Sequence, residues 1–317
     1  MAGIVSENCL QGCAKTTKRF KPSAATRHYT IVGPGFVKRL SPLASDLGSG
    51  PRSRLQGPGA SKLAIRLAVR HRWDVTTAEA REIQKSLGQR WEGEDRLGTL
   101  RTVAGLDAAF VLKGSQAFKK PSHWNALRDA NRAIGGVVLY SYPEMLELER
   151  VSAEVALTFP YVPGFLSFRE IPALLAALGK LGQVPDLLFC DGQGYAHPRR
   201  MGLASHLGVI LDLPSVGCAK SLLTGQHGSV GSQRGEWSAI TDGDETVGAA
   251  LRTRADCAPM YISPGHRVSL DTALRLTLSV SDGTRVPRPT READRLVSRT
   301  KRETLATAAR GSHRKNQ

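Results

Sequence analysis

The sequence predicts an α/β fold, in which a single mixed sheet carries helices on its faces. Segments rich in β-branched and aromatic residues follow one another between residues 103 and 159, which indicates neighbouring strands. From residue 168 onward, helical and strand-like segments alternate, as is typical of strands joined by helices. The chain has 317 residues, of which 41% are hydrophobic, and this is enough to bury a sizeable core.

The first predicted helix begins at Thr76, because Thr76–Glu79 fits a capping box and Ile83 and Leu87 follow one turn apart. Three strands are expected next, over residues 103–112, 135–142 and 149–159. The remaining predicted elements are helix Phe168–Leu181, strand Asp186–Cys190, helix Met201–Leu211, strand Ser215–Ala219 and helix Leu270–Leu278.

Most of the positive charge lies at the two ends of the chain. Residues 1–71 hold 12 Lys and Arg against 2 acids, and residues 285–317 hold 10 against 3, whereas residues 72–284 have a net charge of −1. The overall charge of +16 therefore favours contact between the ends and a polyanion such as nucleic acid. It does not identify the middle of the chain as a nucleic-acid domain.

We expect three segments: a basic extension over residues 1–71, one folded domain over residues 72–300 and a basic tail over residues 301–317. Residues 1–71 are rich in Ser, Gly, Pro, Lys and Arg and show no sustained hydrophobic period, which favours disorder or a mispredicted start. An organelle transit peptide stays open as an alternative.

The cysteine pattern and the absence of long apolar runs bear on the compartment. Five cysteines without a CxxC pair argue against a disulfide framework and a structural zinc site, and they favour a reducing compartment. No stretch approaches 18 uninterrupted apolar residues, and the first thirty residues lack the apolar core of a secretory signal. We expect a cytoplasmic monomer without a membrane partner.

The segment DGQGYAHPRRM, residues 191–201, follows a predicted buried strand and places Asp191 at the carboxyl edge of that strand, where α/β sheets bind ligands. Gly192 and Gly194 allow close backbone approach. The basic residues of the segment are a proton-transfer candidate, His197, and two candidate phosphate binders, Arg199 and Arg200. This combination indicates a metal ion beside a phosphate; the alternative is an Asp-Gly turn followed by a solvated helix start.

Asp107 lies within the apolar run VAGLDAAF and is expected to be buried. Coordination of a cation offsets the cost of burying a carboxylate, and a hydrogen-bonded structural Asp is the alternative. With Asp191 opposite, the two carboxylates form a hard-oxygen site suited to Mg²⁺, with Mn²⁺ as a second possibility.

Three further polar residues are candidates for the same site. Glu170 either belongs to an acidic cluster or closes a capping box with Ser167, although Pro172 favours a helix that starts after Glu170. Lys220 ends a predicted strand and is either a phosphate ligand or a solvated lysine. His266 lies on a predicted glycine-flanked turn and can position or activate water, or is structural.

Five separate blocks of this chain resemble the endonuclease V family, the deoxyinosine 3′-endonucleases. They are VAGLDAAF at 103–110, PYVPGFLSFRE at 160–170, DGQGYAHPRRM at 191–201, SHLGVILDLPSVGCAK at 205–220 and YISPGHRVSLDTA at 261–273. The resemblance covers roughly residues 75–297 and implies an RNase H-like fold.

The resemblance also implies roles for individual residues. Asp107 and Asp191 would be metal ligands, with Glu170 in the acidic cluster as a direct ligand or through water. Tyr161, in the turn that Pro160 and Pro163 bracket, would be a wedge pushed into the duplex beside a flipped base. The remaining implied site residues are Lys220 and His266 for catalysis and Gly192, Gly194 and His197 for contact with DNA. Gln193 departs from the histidine of many family members, which puts proton transfer by that side chain in doubt.

The activity implied is metal-dependent nicking of deoxyinosine-containing DNA at the second phosphodiester bond 3′ to the lesion, in repair of deaminated bases. Such an enzyme would associate with the nucleoid when it acts on DNA. An inosine-specific endoribonuclease and a lesion-binding protein without catalysis are the alternatives.

Overall fold

The structure, a computed structural model, describes residues 65–112 and 128–313. Within them nine strands form one mixed sheet in the order β3-β2-β1-β4-β5-β9-β8-β7-β6. The strands are β1 Thr102–Leu112, β2 Ala130–Ser141, β3 Glu147–Ala156, β4 Leu187–Cys190, β5 Ser215–Ala219, β6 Gln226–His227, β7 Trp237–Asp242, β8 Glu245–Leu251 and β9 Met260–His266. The pairs β1–β4 and β4–β5 are parallel and the other neighbours are antiparallel.

Helices cover both faces of this sheet, as the sequence predicts. They are α1 Thr77–Gly88, α2 Ser167–Leu178, α3 Leu203–Leu211, α4 Leu270–Ser279 and α5 Arg288–His313. Helices α2 and α3 pack on one face through apolar residues such as Ile171 and Leu207, and α4 and α5 pack on the other through residues such as Leu274 and Leu296. None of the described helices has the length and apolar character needed to cross a bilayer.

The predicted start of α1 is confirmed, because Thr76 and Glu79 form the reciprocal capping box. The start of α2 differs from the prediction. The helix begins at Ser167, so that Glu170 lies in its first turn and Pro172 lies inside it. No Ser167–Glu170 capping box forms, since the Ser167 hydroxyl lies 2.9 Å from Nδ1 of buried His206 instead.

Two glycines of the central strands allow α5 to approach the sheet closely. A Cβ atom at Gly105 would lie 2.0 Å from the carbonyl oxygen of Pro289, and one at Gly136 would lie 2.5 Å from a methyl carbon of Val297. Because any larger residue would push the helix away, these positions fix where the first turns of α5 lie over β1 and β2.

The predicted boundary after residue 71 is placed too late. Residues 65–71 already pack on the domain, with the amide of Ala68 donating to the carbonyl of Ile210 at 2.8 Å. The ring of His71 lies 2.9 Å from that of His206, and Ile65 and Leu67 pack against the α2–α3 side of the core. The expected low order of the extension falls on residues 1–64, outside the described part of the chain.

Candidate functional site

Asp107 and Asp191 lie beside each other because their strands are parallel neighbours. Leu106 of β1 pairs with Cys190 of β4, and the amide of Asp191 donates to the carbonyl of Leu106 at 2.9 Å. Asp107 is therefore the next residue on one strand and Asp191 the first residue after the other. The prediction that these two carboxylates meet is confirmed.

Asp294 of α5 completes an acidic cluster with Asp107 and Asp191. One carboxylate oxygen from each of the three residues lies within 4.8 Å of the other two, an arrangement able to hold a metal ion. Asp107 shares the sheet face of Val103 by strand alternation, and this is the face that α5 covers. Sequence reasoning missed Asp294, since it lies in a basic segment without a recognisable site motif.

Lys220 bridges two members of this cluster. Its Nζ atom lies 2.5 Å from Oδ2 of Asp191 and 2.9 Å from Oδ2 of Asp294. Burial lowers the pKa of Lys220, but the two carboxylates outweigh burial and hold it above its ordinary value. The ammonium group therefore stays charged next to the carboxylates.

Burial and mutual repulsion dominate the electrostatics of the cluster. Burial raises the pKa of Asp107 well above its ordinary value, and the charge of Asp191 raises it further. Burial also raises the pKa of Asp191, although Lys220 opposes this. Glu170 is buried, and burial raises its pKa well above the ordinary value, with the charges of Asp107 and Asp191 adding to the effect. Glu170 thus lies near both carboxylates but outside the group of three whose oxygens meet.

Tyr161 precedes a tight turn whose backbone is held by side chains from other parts of the chain. The amide of Phe165 donates to the carbonyl of Val162 at 3.1 Å, and Gly164 has a φ of +79°, which glycine adopts without strain. Three side chains donate to the carbonyl oxygen of Gly164: those of Gln84, His197 and Arg199. The proline-bracketed turn that the sequence predicts is confirmed, with Pro160 and Pro163 exposed and the ring of Tyr161 half-buried.

The basic residues after Asp191 are held within the chain. Burial lowers the pKa of His197 to about 4, so its ring is neutral and its Nε2 donates to Gly164 at 3.0 Å. Arg199 bonds Gln84 and Gly164, and Arg200 forms ion pairs with Asp242 and Glu245. The ring of His197 and the guanidinium groups of Arg199 and Arg200 therefore all make contacts within the chain.

The two glycines of the DGQG block differ in position. Gly192 lines the pocket described below, but Gly194 packs against β9, where a Cβ atom would lie 2.2 Å from the carbonyl of Pro264. The amide of Gly194 donates to the Ser263 hydroxyl at 2.8 Å, and that of Gly192 donates to Cys190 at 2.9 Å. The amides of both glycines are therefore already paired within the chain.

His266 lies at the opposite end of the strands from the acidic cluster. It is the last residue of β9 and pairs with Ser215, at the start of β5, whereas Lys220 follows the end of β5. Ser215 and Lys220 are five residues apart along this extended segment, which corresponds to about 16 Å. The ring of His266 is buried, and its Nδ1 accepts from the amide of Glu92 at 3.2 Å. Its predicted place in the site is wrong, because the strand continues through the expected turn.

A pocket of 430 Å³ opens between the acidic cluster and the Tyr161 turn. Such a volume lies within the range of small-ligand sites, about 300–1,000 Å³. Tyr161 and Gly164 of the turn line it, together with Lys220 and Leu223. Glu170, Asp191 and Gln193 also line it, so that carboxylates and an amide lie beside a mixed apolar wall.

Comparison with known proteins gives one family for this arrangement. Residues 83–295 match the family Endonuclease V. Endonuclease V of Roseiflexus castenholzii is 45% identical over 228 residues, which cover 72% of this chain and 95% of that protein. The chain belongs to the endonuclease V family.

Solved structures agree with this assignment. The crystal structure of endonuclease V from Streptomyces avermitilis matches with a TM-score of 0.65 and 36% identity, covering 74% of this chain and 96% of that one. Ciona intestinalis endonuclease V, in complex with DNA containing an inosine followed by a ribo-adenosine, matches with a TM-score of 0.60 and 25% identity, over 73% of this chain and all of the other. The predicted RNase H-like mixed sheet flanked by helices is confirmed, and the chain is an endonuclease.

Proposed function

We propose that this endonuclease V family member is a divalent-metal-dependent enzyme that nicks inosine-containing DNA. The cut would fall at the second phosphodiester bond on the 3′ side of the lesion and leave a 3′-hydroxyl and a 5′-phosphate. The observation that carries the proposal is the meeting of Asp107, Asp191 and Asp294 with Lys220, beside a pocket that Asp191, Lys220 and Tyr161 line.

The donor set of the cluster fits a hard divalent cation. All three groups are carboxylates, their ligand oxygens lie within 4.8 Å of one another, and they come from three separate elements. The raised pKa values of Asp107 and Asp191 indicate that their negative charges are incompletely compensated, a condition that a cation would relieve. Mg²⁺ is the proposed ion and Mn²⁺ the alternative; when bound, it would polarise the scissile phosphate and neutralise charge on the leaving oxygen.

The surrounding residues would position the strand. Lys220 would hold an oxygen of the scissile phosphate, since its charged Nζ lies within 3 Å of two carboxylates of the cluster. Tyr161 would fill the gap that the flipped base leaves, and the 430 Å³ pocket beside it would receive that base. Glu170, with no place among the three meeting carboxylates, would act on the cluster through a water molecule or through its charge.

The test is nicking of a labelled duplex that contains one deoxyinosine, in Mg²⁺, with the cut position read from product length. A matched duplex with deoxyguanosine at the same position is the control. A cut at the second bond 3′ to deoxyinosine, with the control left intact, is expected. Equal cutting of both duplexes, or a cut elsewhere, would contradict the proposal.

Cleavage of inosine in RNA is the second candidate. The Ciona intestinalis complexes contain DNA in which a ribo-adenosine follows the inosine, so a 2′-hydroxyl next to the lesion is accommodated in those complexes. Rates on DNA and RNA strands of matched sequence would decide between the two candidates: the proposal expects faster cutting of DNA.

A further inference from the structure

Gln193 carries a buried hydrogen-bond acceptor beside the pocket. The residue is 7% exposed and lines the pocket together with Asp191 and Lys220. Its side-chain oxygen, Oε1, is fully buried and has no hydrogen-bond partner among the described residues. Because buried side-chain oxygens are nearly always hydrogen-bonded, an unpartnered one beside a ligand pocket points to a donor on the ligand.

The orientation of the Gln193 amide is fixed by its neighbours. Its Nε2 donates to the carbonyl oxygen of Ser221 at 2.8 Å, and a carbonyl can only accept, so that Oε1 is the atom left over. The backbone oxygen of Gln193 accepts from the amide of Ala204 at 3.0 Å. Both the backbone and the side chain are therefore held before a ligand arrives, which reduces the entropic cost of a contact.

Two backbone carbonyl oxygens of residues that line the pocket already accept hydrogen bonds, unlike Oε1. The oxygen of Gly164 already receives hydrogen bonds from three side chains, and the oxygen of Ser221 receives one from Gln193 itself. Oδ2 of Asp191 is also a buried oxygen without a hydrogen bond of good geometry, but it belongs to an ion pair and lies 2.5 Å from Nζ of Lys220. An incoming donor thus finds in Gln193 a neutral acceptor that is both buried and uncommitted.

We propose that Oε1 of Gln193 reads the flipped base by accepting a hydrogen bond from the N1–H group of hypoxanthine. This inference rests on the proposed function and adds a specificity-determining residue to it. A flipped base is read on its Watson–Crick edge, where hypoxanthine presents a donor at N1 and adenine presents an acceptor. The contact would therefore favour hypoxanthine over adenine, from which it arises by deamination. Guanine also carries N1–H, so this contact would not separate hypoxanthine from guanine.

The test is a comparison of two bases and two variants of the full chain. Single-stranded oligonucleotides carry one deoxyinosine or one deoxynebularine, whose N1 has no hydrogen, and binding is measured in EDTA so that the strands stay intact. Gln193→Met removes the acceptor at similar side-chain volume. Gln226→Met is the matched control, since Gln226 is exposed on β6 and does not line the pocket.

Gln193→Met is expected to weaken binding of the deoxyinosine strand about tenfold and to change binding of the deoxynebularine strand less than about twofold. Gln226→Met should leave both affinities unchanged. Equal losses on the two strands would mean that Gln193 acts only through its bond to Ser221 and would overturn the inference, as would no loss on either strand.

Two further readings separate the inference from its premise. Nicking of the deoxyinosine strand by the unaltered chain in Mg²⁺ tests the proposed function: if nicking occurs and the base preference does not depend on Gln193, the inference alone fails. If no nicking occurs, the proposed function fails and takes the inference with it. Should Gln193→Met not fold, equal affinity of the unaltered chain for the two strands would still overturn the inference.

Discussion

Asp107 is held in a position where its ionised form is unfavourable. It is half-buried in β1, next to Asp191, and loss of solvation is the larger reason that its pKa lies well above the ordinary value. The positive charge of Lys220 opposes this, as does a hydrogen bond from the amide of Ala108 to Oδ1 at 2.7 Å. A residue whose charge costs stability and would serve a cation is an example of function maintained against stability.

Asp107→Asn should therefore stabilise the metal-free protein at pH 7. The folded-state pKa is raised, so the ionised carboxylate costs stability above the ordinary pKa of about 4, and this cost disappears as the pH falls and the group takes up a proton. We expect the Tm in EDTA to rise by about 2–4 °C, corresponding to about 1 kcal/mol, with the gain shrinking towards pH 4. Asp244→Asn, at an exposed turn, is the control. A lower Tm for Asp107→Asn at pH 7 would contradict this electrostatic account.

The structure places Asp294, which the sequence does not single out, in the acidic cluster, and it places His266, which the sequence does single out, away from that cluster. Asp294→Asn removes one of the three meeting carboxylates and should slow nicking at least about 100-fold, since even changes to residues behind metal ligands cost 10–100-fold. His266→Gln keeps an acceptor for the amide of Glu92 and should leave nicking within about threefold of the unaltered rate. Single-turnover rates in Mg²⁺ measure both. Loss of activity in His266→Gln with an unchanged Tm would show that this histidine reaches the site after all.

At the scale of the element, pairing of parallel strands is the part of the site that could be predicted. Asp191 stands at the end of one apolar segment and Asp107 lies within another, and the parallel pairing of their strands brings the two side by side. Asp294 could not be placed from sequence, because its position depends on how closely α5 packs over Gly105 and Gly136. His266 was misplaced for a related reason: the direction and length of β9 depend on its pairing with β5, which local propensity does not reveal.

The Tyr161 turn was predicted from its prolines, whereas the contacts that hold it were not. Its anchor is the carbonyl of Gly164, which is bonded by side chains 80 and 35 residues away in sequence, Gln84 and Arg199. The guanidinium of buried Arg169 lies 5.9 Å from the centre of the tyrosine ring. These contacts make the turn a rigid support for a ring that borders the pocket.

Tyr161→Ala should weaken cutting of an inosine duplex more than cutting of a single strand, because an unpaired base leaves no gap to fill. We expect a loss of about tenfold on the duplex and less than about twofold on the single strand. Tyr161→Phe, which keeps the ring, should behave like the unaltered chain on both substrates. Equal losses for Tyr161→Ala on duplex and single strand would remove the wedge role.

At the scale of the whole molecule, charge and packing divide the chain at different places. Composition placed the boundary after residue 71, because the basic character continues to that point. Packing begins earlier, since residues 65–71 contact α3 and the core below it. Composition predicts the presence of an extension, but only tertiary contacts show where the folded domain begins.

Two truncations test this division. Removal of residues 1–64 should leave the Tm and the inosine preference unchanged, whereas removal of residues 1–71 should lower the Tm, because it strips the Ala68 and His71 contacts. If the basic extension contacts phosphates, removal of residues 1–64 should also flatten the slope of log affinity against log salt concentration on one inosine duplex. Identical slopes for the full and the shorter chain would mean that residues 1–64 do not bind DNA.

The most direct test of the account is the Mg²⁺ dependence of nicking at deoxyinosine by the unaltered chain and by Asp191→Asn, measured side by side. The carboxylate of Asp191 lies at the centre of the cluster, next to Asp107 and paired with Lys220. We expect the unaltered chain to nick only when Mg²⁺ is present, and Asp191→Asn to bind the inosine duplex without nicking it at any Mg²⁺ concentration. Nicking by Asp191→Asn at a rate near that of the unaltered chain, or nicking by the unaltered chain in EDTA, would contradict the account.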